Sequence, residues 1–387
     1  MKVVLGVDAI FPPLTGIGRY ALQLANGLPN RPEIGEVKYF SMGRWVSGPQ
    51  AMATGAGGPA DASGQFARVR RAMASNSLAV RAYAKVMPHL LKWRLMSFDD
   101  FIFHSPNYFL PTFPGPAVAT VHDLSIYRYP DLHPKARRAY FELEFHRSLA
   151  RAAHLITDSE SIRQEVAEHF AWPLDRITSV PLGVSEAFVP LSEEVSRPVL
   201  SKLGLAYGRY GLCVSTLEPR KRIDRLIDAY ERLPRRSRET FPLVIVGGRG
   251  WLDTALHERI ERATRQGWLR YIGYVDEAVL PVVYAGARAF FYPSLYEGFG
   301  LPVLEAMSCG VPVVTSNCSS LPEVAGAAGM LVNPDDADAL LFGVEKALED
   351  DEWRATASAR GLTQAADFSW PCCVERTVAV YRKVWGQ

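Results

Sequence analysis

Two glutamates with seven residues between them, Glu297 and Glu305, bracket the glycine-bearing stretch Gly298-Phe299-Gly300-Leu301. A carboxylate accepts two hydrogen bonds in one plane, which suits the vicinal hydroxyls of a ribose or a hexose. The two glycines let the backbone come close to a ligand. Pro302 suits the first turn of a helix, because its missing N–H would have no partner there. Such a helix start carries partial positive charge and outward N–H groups, which is what a phosphate or diphosphate seeks. The stretch therefore predicts a ligand with sugar on both sides of a diphosphate. Taken singly, each glutamate also fits a plainer role, Glu305 as a partner of its helix dipole and Glu297 as a solvated loop acid.

Charge concentrates a second time at Arg220-Lys221-Arg222, just before a helix expected over residues 224–233. Three cations at a helix start oppose its dipole and cost stability unless an anion is bound there; Arg222 fits a solvated basic turn equally well. Gly247-Gly248 forms another glycine loop after the apolar run 243–246. Gly16, Gly18 and Ala21 fit G-x-G-x-x-A, but poorly as a dinucleotide fingerprint. That fingerprint needs a tight turn straight off the strand and an acid ending the second strand. Here a long proline-bearing loop precedes Gly16, and residues 36–42 end on Ser41-Met42. His122-Asp123 follows the buried run 117–121 at a strand's C-terminal end, with Asp123 expected to orient the loop or His122. No aspartate-x-aspartate cluster offers a metal a site.

These residues need a scaffold, and 387 residues suit two domains of about 150 to 200 each. Hydrophobic content of 48% with 22% charged residues describes a globular chain. A formal charge of +2 gives no reason to expect nucleic acid. No apolar run approaches the roughly 20 residues that span a bilayer, and the N-terminus reads as a strand over 3–8, not as a signal peptide. Five cysteines without C-x-x-C spacing point to a reducing cytoplasm and no structural zinc. Short buried strands alternate with amphipathic helices, expected at 19–28, 134–153 and 159–170 in the first half, the last capped by Ser159 or Asp158. Residues 181–198 lose periodicity and read as a hinge, and residues 321–324 read as a turn. Later helices are expected from Pro302, at 335–348 and at 372–385. The alternation predicts doubly wound parallel sheets with ligands at the strands' C-terminal ends.

Three segments, T-G-I-G-R-Y at 15–20, E-P-R-K at 218–221 and S-L-Y-E-G-F-G-L-P-V-L-E-A-M at 294–307, together resemble family 4 of the retaining glycosyltransferases. Within it they are most similar to bacterial mannosyl- and rhamnosyltransferases of O-antigen and exopolysaccharide assembly. The resemblance implies an α/β protein of the GT-B fold, two doubly wound Rossmann-like parallel-sheet domains facing a cleft. It places an acceptor-binding domain at 1–190, a nucleotide-sugar-binding domain at 191–367 and a helix at 368–387 that crosses back to the first domain. It implies catalytic roles for His122, Glu297, Lys221 and Arg220. Donor binding would fall to Gly16, Gly18, Gly247, Gly248, Tyr274, Gly298, Phe299, Gly300, Leu301 and Glu305. The implied reaction moves a hexosyl group from a GDP-sugar to a hydroxyl of a lipid-linked glycan, with retention and with neither metal nor other cofactor. One departure stands out: many members carry an arginine five residues before the lysine, where this chain has Thr216. Alternatives are a UDP-sugar transferase, a nucleotide-sugar epimerase and a non-catalytic glycan-binding protein.

Residues 66–98 hold seven lysines and arginines, among them Arg70, Arg71, Arg81 and Lys85, and no acidic residue. Apolar residues recur there at steps of three, four or seven. A helix so patterned can lie in an anionic membrane surface, apolar face down, so a peripheral position on the inner face of the cytoplasmic membrane is expected through 66–98.

Overall fold

The structure is a computed structural model that describes residues 1–53, 93–248 and 254–385. The chain forms two units, one of Met1–Leu182 with Trp370–Gln387 and one of Gly183–Ser369.

In the first unit, seven strands form one sheet: β1 (Lys2–Gly6), β2 (Glu36–Ser41), β3 (Arg44–Val46), β4 (Ile102–Ser105), β5 (Ala117–Val121), β6 (His154–Thr157) and β7 (Ile177–Ser179). Their order is β3-β2-β1-β4-β5-β6-β7, all parallel except the short edge strand β3. The central strands β4, β5 and β6 are buried along their whole length, as strands covered on both faces must be. Strand order reverses between β1 and β4, where an open α/β sheet leaves a crevice for a ligand.

The second unit repeats the plan with six parallel strands: β8 (Gly211–Val214), β9 (Leu243–Val246), β10 (Leu269–Gly273), β11 (Ala289–Tyr292), β12 (Val313–Ser316) and β13 (Met330–Val332). Their order is β10-β9-β8-β11-β12-β13, so the reversal lies between β8 and β11. Leu226, Ile227 and Tyr230 of the Ile223–Arg232 helix join Phe291, Trp268 and Leu340 in the core on one face of this sheet. Two doubly wound parallel sheets constitute the GT-B fold.

Several element bounds differ from the sequence reading. The first helix runs Gly16–Gly27, starting three residues early because the Thr15 hydroxyl caps it, accepting from Gly18 N–H at 3.2 Å. Gly16 and Gly18 thus stand in a helical first turn, not in a loop. Residues expected as a hinge contain the start of a helix, Glu193–Lys202, which Ser192 caps. It tolerates Pro198, with Ser196 and Leu200 packed inside. Leu321–Ala325 is a helix in place of the expected turn, Pro322 sitting in its first turn. A helix over Asp351–Ala365, capped by Asp350 through Trp353 N–H at 2.8 Å, was not anticipated at all. Most of the basic stretch 66–98 lies outside the described residues.

Candidate active site

The basic run at Arg220-Lys221 and the stretch that begins at Glu297 meet at the reversal point of the second sheet. The loop after β8 carries Glu218, Arg220 and Lys221, and the loop after β11 carries Ser294 to Gly300. Pro219–Lys221 makes one tight helical turn. This turn aims Lys221 inward, where it is 8% exposed. Its ammonium donates to Glu297 Oε1 and, at 2.9 Å, to the Tyr292 hydroxyl. Arg220 donates to Glu218 Oε2 at 3.0 Å and to the Tyr296 carbonyl at 2.8 Å, and lies 3.5 Å from Glu297 Oε2. Two cations and two carboxylates make a cluster without net charge. Burial pulls the Lys221 ammonium below the ordinary lysine value, although Glu297 opposes it. Burial would raise the Glu297 carboxyl, but Lys221 and then Arg220 outweigh it and hold it down at about 2. Arg222 takes a left-handed backbone with φ 52° and reaches Asp335 at 2.9 Å. The three consecutive cations are therefore balanced by carboxylates of the chain itself, without the anion that their sequence seemed to demand.

Neighbouring loops fix this cluster in place. The Ser320 hydroxyl donates to the Glu297 carbonyl at 2.9 Å or the Phe299 carbonyl at 2.7 Å, and Glu297 N–H donates to Ser319 Oγ at 2.9 Å. The Ser316 hydroxyl meets the Ser294 carbonyl. Phe299 is buried against Phe368, ring centres 5.7 Å apart. Gly247 has φ 143°, and a Cβ there would meet the Ser215 carbonyl oxygen at 2.1 Å, so only glycine permits the crossing of the loops after β8 and β9. Gly247 N–H donates to the Gly273 carbonyl at 2.8 Å, and Leu217 N–H donates to Gly248 at 3.3 Å. Loops after β8, β9, β10 and β11 thus form one continuous edge, with Tyr274 exposed at its rim.

The Leu301–Ser308 helix starts on Gly300, and Val303 and Leu304 N–H groups both donate to the Gly300 carbonyl at 3.0 and 3.2 Å. With Pro302 lacking a donor, this first turn offers an anion fewer N–H groups than the sequence implied. Positive charge at the edge comes mainly from side chains. Glu305 lies in this helix and is 5% exposed. Among the described residues no group of three or more His, Cys, Asp or Glu side chains is arranged to hold a metal ion.

His122 belongs to the first unit, after β5, and is 6% exposed. Its partner is Asp158, not Asp123: Nδ1 lies 2.7 Å from Asp158 Oδ2, and Nε2 lies 2.7 Å from the Pro106 carbonyl. Asp123 instead accepts from Ser125 N–H at 2.8 Å, shaping its own loop. Burial would lower the His122 imidazole, but the Asp158 carboxylate, aided by the Pro106 carbonyl, holds it above the ordinary histidine value. Burial raises Asp158. Gly16 is exposed, whereas Gly18 is buried where a Cβ would meet the Ala9 carbonyl at 2.8 Å; close packing, and not phosphate contact alone, calls for glycine there. Sequence reasoning missed Asp158, Tyr292 and the serines after β12. A polar residue directly after a buried strand was the available signal for Asp158.

Comparison with known proteins shows the family and the fold. Residues 208–363 match the family described as Glycosyl transferases group 1, and residues 14–188 match Glycosyltransferase Family 4. The chain is 44% identical over 383 residues to O-antigen chain mannosyltransferase B of Escherichia coli, covering 99% of this chain and 100% of that protein. Among solved structures it resembles HepE of Anabaena in complex with UDP-glucose, with TM-score 0.72 and 16% identity over 99% of this chain and 100% of that one. It also resembles sucrose-phosphate synthase of Thermosynechococcus elongatus, with TM-score 0.69 and 21% identity over 100% and 99%.

Proposed function

Because the chain belongs to glycosyltransferase family 4, we propose that it transfers mannose from GDP-mannose to a hydroxyl of a lipid-linked glycan in O-antigen synthesis, with retention of anomeric configuration. The observation that carries this reading is the Lys221-Arg220-Glu297 cluster at the reversal point of the second sheet. A diphosphate is the natural competitor for cations held by carboxylates. As the leaving diphosphate gains charge, Lys221 and Arg220 stabilise it, and Glu297 turns from its cations to the sugar hydroxyls. Glu305 accepts from the ribose, and the loops at Gly247-Gly248 and Tyr274 line the base and phosphates. Lys221 and Arg220 take the place that a divalent metal would fill, so no metal or other cofactor is required. Neither Glu297 nor Glu305 serves as a covalent nucleophile; the leaving diphosphate takes the acceptor proton on the same face. Mannose is favoured over rhamnose by the full-length similarity to a mannosyltransferase.

The glycan acceptor falls to the first unit, at the edge that carries His122. Residues 66–98 bring the enzyme to an anionic membrane surface, where a lipid-linked acceptor resides; no helix of the described residues is long and apolar enough to cross a membrane. A UDP-sugar donor is the second reading, favoured by the structural likeness to HepE with UDP-glucose. Purified protein given GDP-mannose or UDP-glucose, with and without extracted lipid-linked glycan, separates the two. Acceptor-dependent GDP release supports the proposal. UDP release alone supports the second reading, and free sugar released without acceptor points to an epimerase.

A further inference from the structure

We propose that Asp158 is a positioning residue for the transfer, pinning together through the His122 ring the three loops that leave β4, β5 and β6. Pro106 follows β4, His122 follows β5 and Asp158 follows β6, and one imidazole bonds the other two at 2.7 Å each. The C-terminal ends of adjacent parallel strands are where an open sheet presents its ligand. A single ring therefore sets the shape of that edge.

The proton count follows from the partners. A carbonyl oxygen only accepts, so His122 Nε2 carries a proton toward Pro106. A second proton lies between Nδ1 and Asp158 Oδ2. With it in place both ring nitrogens donate, and neither is left to accept a proton from a substrate hydroxyl. His122 is thus not the base of the reaction. Loss of that second proton would set the Nδ1 lone pair against a carboxylate and turn the pin into a repulsion. Asp158 Oδ1 is buried with no other partner among the described residues. A carboxylate so buried needs a cation beside it, and the imidazolium supplies one. Around the pair stand Tyr20 of the first helix and Tyr108 after β4, whose ring centres lie 5.4 and 5.7 Å from that of His122 in edge-to-face contact. Asp123 adjoins His122, and Cys373 of the Trp370–Trp385 helix lies near Asp158. His104 on β4 is held neutral by burial, down at about 3. None of these offers a replacement proton to Nδ1.

The kinetic test rests on the proposed transfer, and the spectroscopic one does not. In the native enzyme, kcat/KM for the acceptor should fall on the alkaline side as the pair loses its proton. Asp158→Asn supplies an N–H to Nδ1, so a neutral imidazole keeps both bonds and that alkaline fall disappears. Asp158→Ala has no pin at any pH and should lose tenfold or more in acceptor kcat/KM, with nucleotide affinity within twofold of native. An alkaline fall unchanged in Asp158→Asn, or native acceptor kinetics in Asp158→Ala, overturns the inference. Nitrogen NMR of the native protein needs no variant. Both His122 ring nitrogens should be protonated at neutral pH, and an unprotonated one overturns the pin even if no donor is turned over. Absence of nucleotide release from every donor would count against the transfer reading instead.

Discussion

Replacing Glu297 by glutamine keeps the side chain's shape and removes the charge that Lys221 and Arg220 face. The native carboxyl is held down from 4.5 to about 2. At about 1.4 kcal/mol for each tenfold change in proton affinity, that corresponds to about 3 kcal/mol of folding stability. The figure agrees with the roughly 3–5 kcal/mol lost when one partner of a buried ion pair is removed. In a domain of this size each kcal/mol moves the melting midpoint by about 2–4 °C, so Glu297→Gln should melt roughly 6–12 °C lower at pH 7. Because the folded protein depresses this carboxyl, its contribution is fully present above about 4.5 and is lost as pH falls toward 2. The gap between native and variant should accordingly close on acidification. Calorimetry at pH 7 and at steps down to pH 3 measures it directly. Equal midpoints at pH 7, or a gap that acid leaves unchanged, would refute the ion-pair reasoning. The same variant strands a buried lysine without its main anion, so turnover should fall tenfold or more as well.

Lys221→Ala should lower kcat by about a hundredfold or more, while chelators and added magnesium leave the native rate unchanged; normal turnover in Lys221→Gln would reduce the cluster to a structural ion pair. Glu305→Ala should weaken GDP binding about ten- to a hundredfold in titration, the effect of losing a hydrogen bond to a charged group, and unchanged affinity would remove the ribose assignment. Binding to liposomes should need anionic lipid, weaken as salt rises, since such attraction is screened over about 10 Å at 0.1 M, and fall when Arg70, Arg71, Arg81 and Lys85 become glutamine. Equal sedimentation with neutral and anionic vesicles would leave residues 66–98 without a membrane role.

Local features were legible in the sequence because local chemistry decides them. The uninterrupted apolar runs Leu243–Val246 and Ala289–Tyr292 are strands with those bounds. Gly310, just past the Leu301–Ser308 helix that Pro302 announced, has φ 71° and closes it: Gly310 N–H donates to the Met307 carbonyl and Val311 N–H donates to the Ala306 carbonyl. What stayed hidden depends on pairing between distant segments. Asp158 looked like a helix cap, but Ser159 takes that role, and alignment of β5 with β6 brings Asp158 to a histidine 36 residues away. Tyr292 ends the buried strand β11, yet its hydroxyl reaches Lys221 across 71 residues. The cationic run at 220–222 seemed to call for an outside anion because Glu297 and Asp335, which balance it, are far along the chain. Helix starts were misjudged where a side-chain cap such as Thr15 or Ser192 extended the helix over residues that glycine or proline had marked as loop.

Proton NMR of the reaction mixture, with GDP-α-mannose as donor and lipid-linked glycan as acceptor, tests retaining transfer from a GDP-sugar most directly. Appearance of an α-linked mannosyl product with one GDP released for each sugar transferred is the expected result. A β-linked product, or turnover confined to a UDP-sugar while GDP-mannose stays intact, would contradict it.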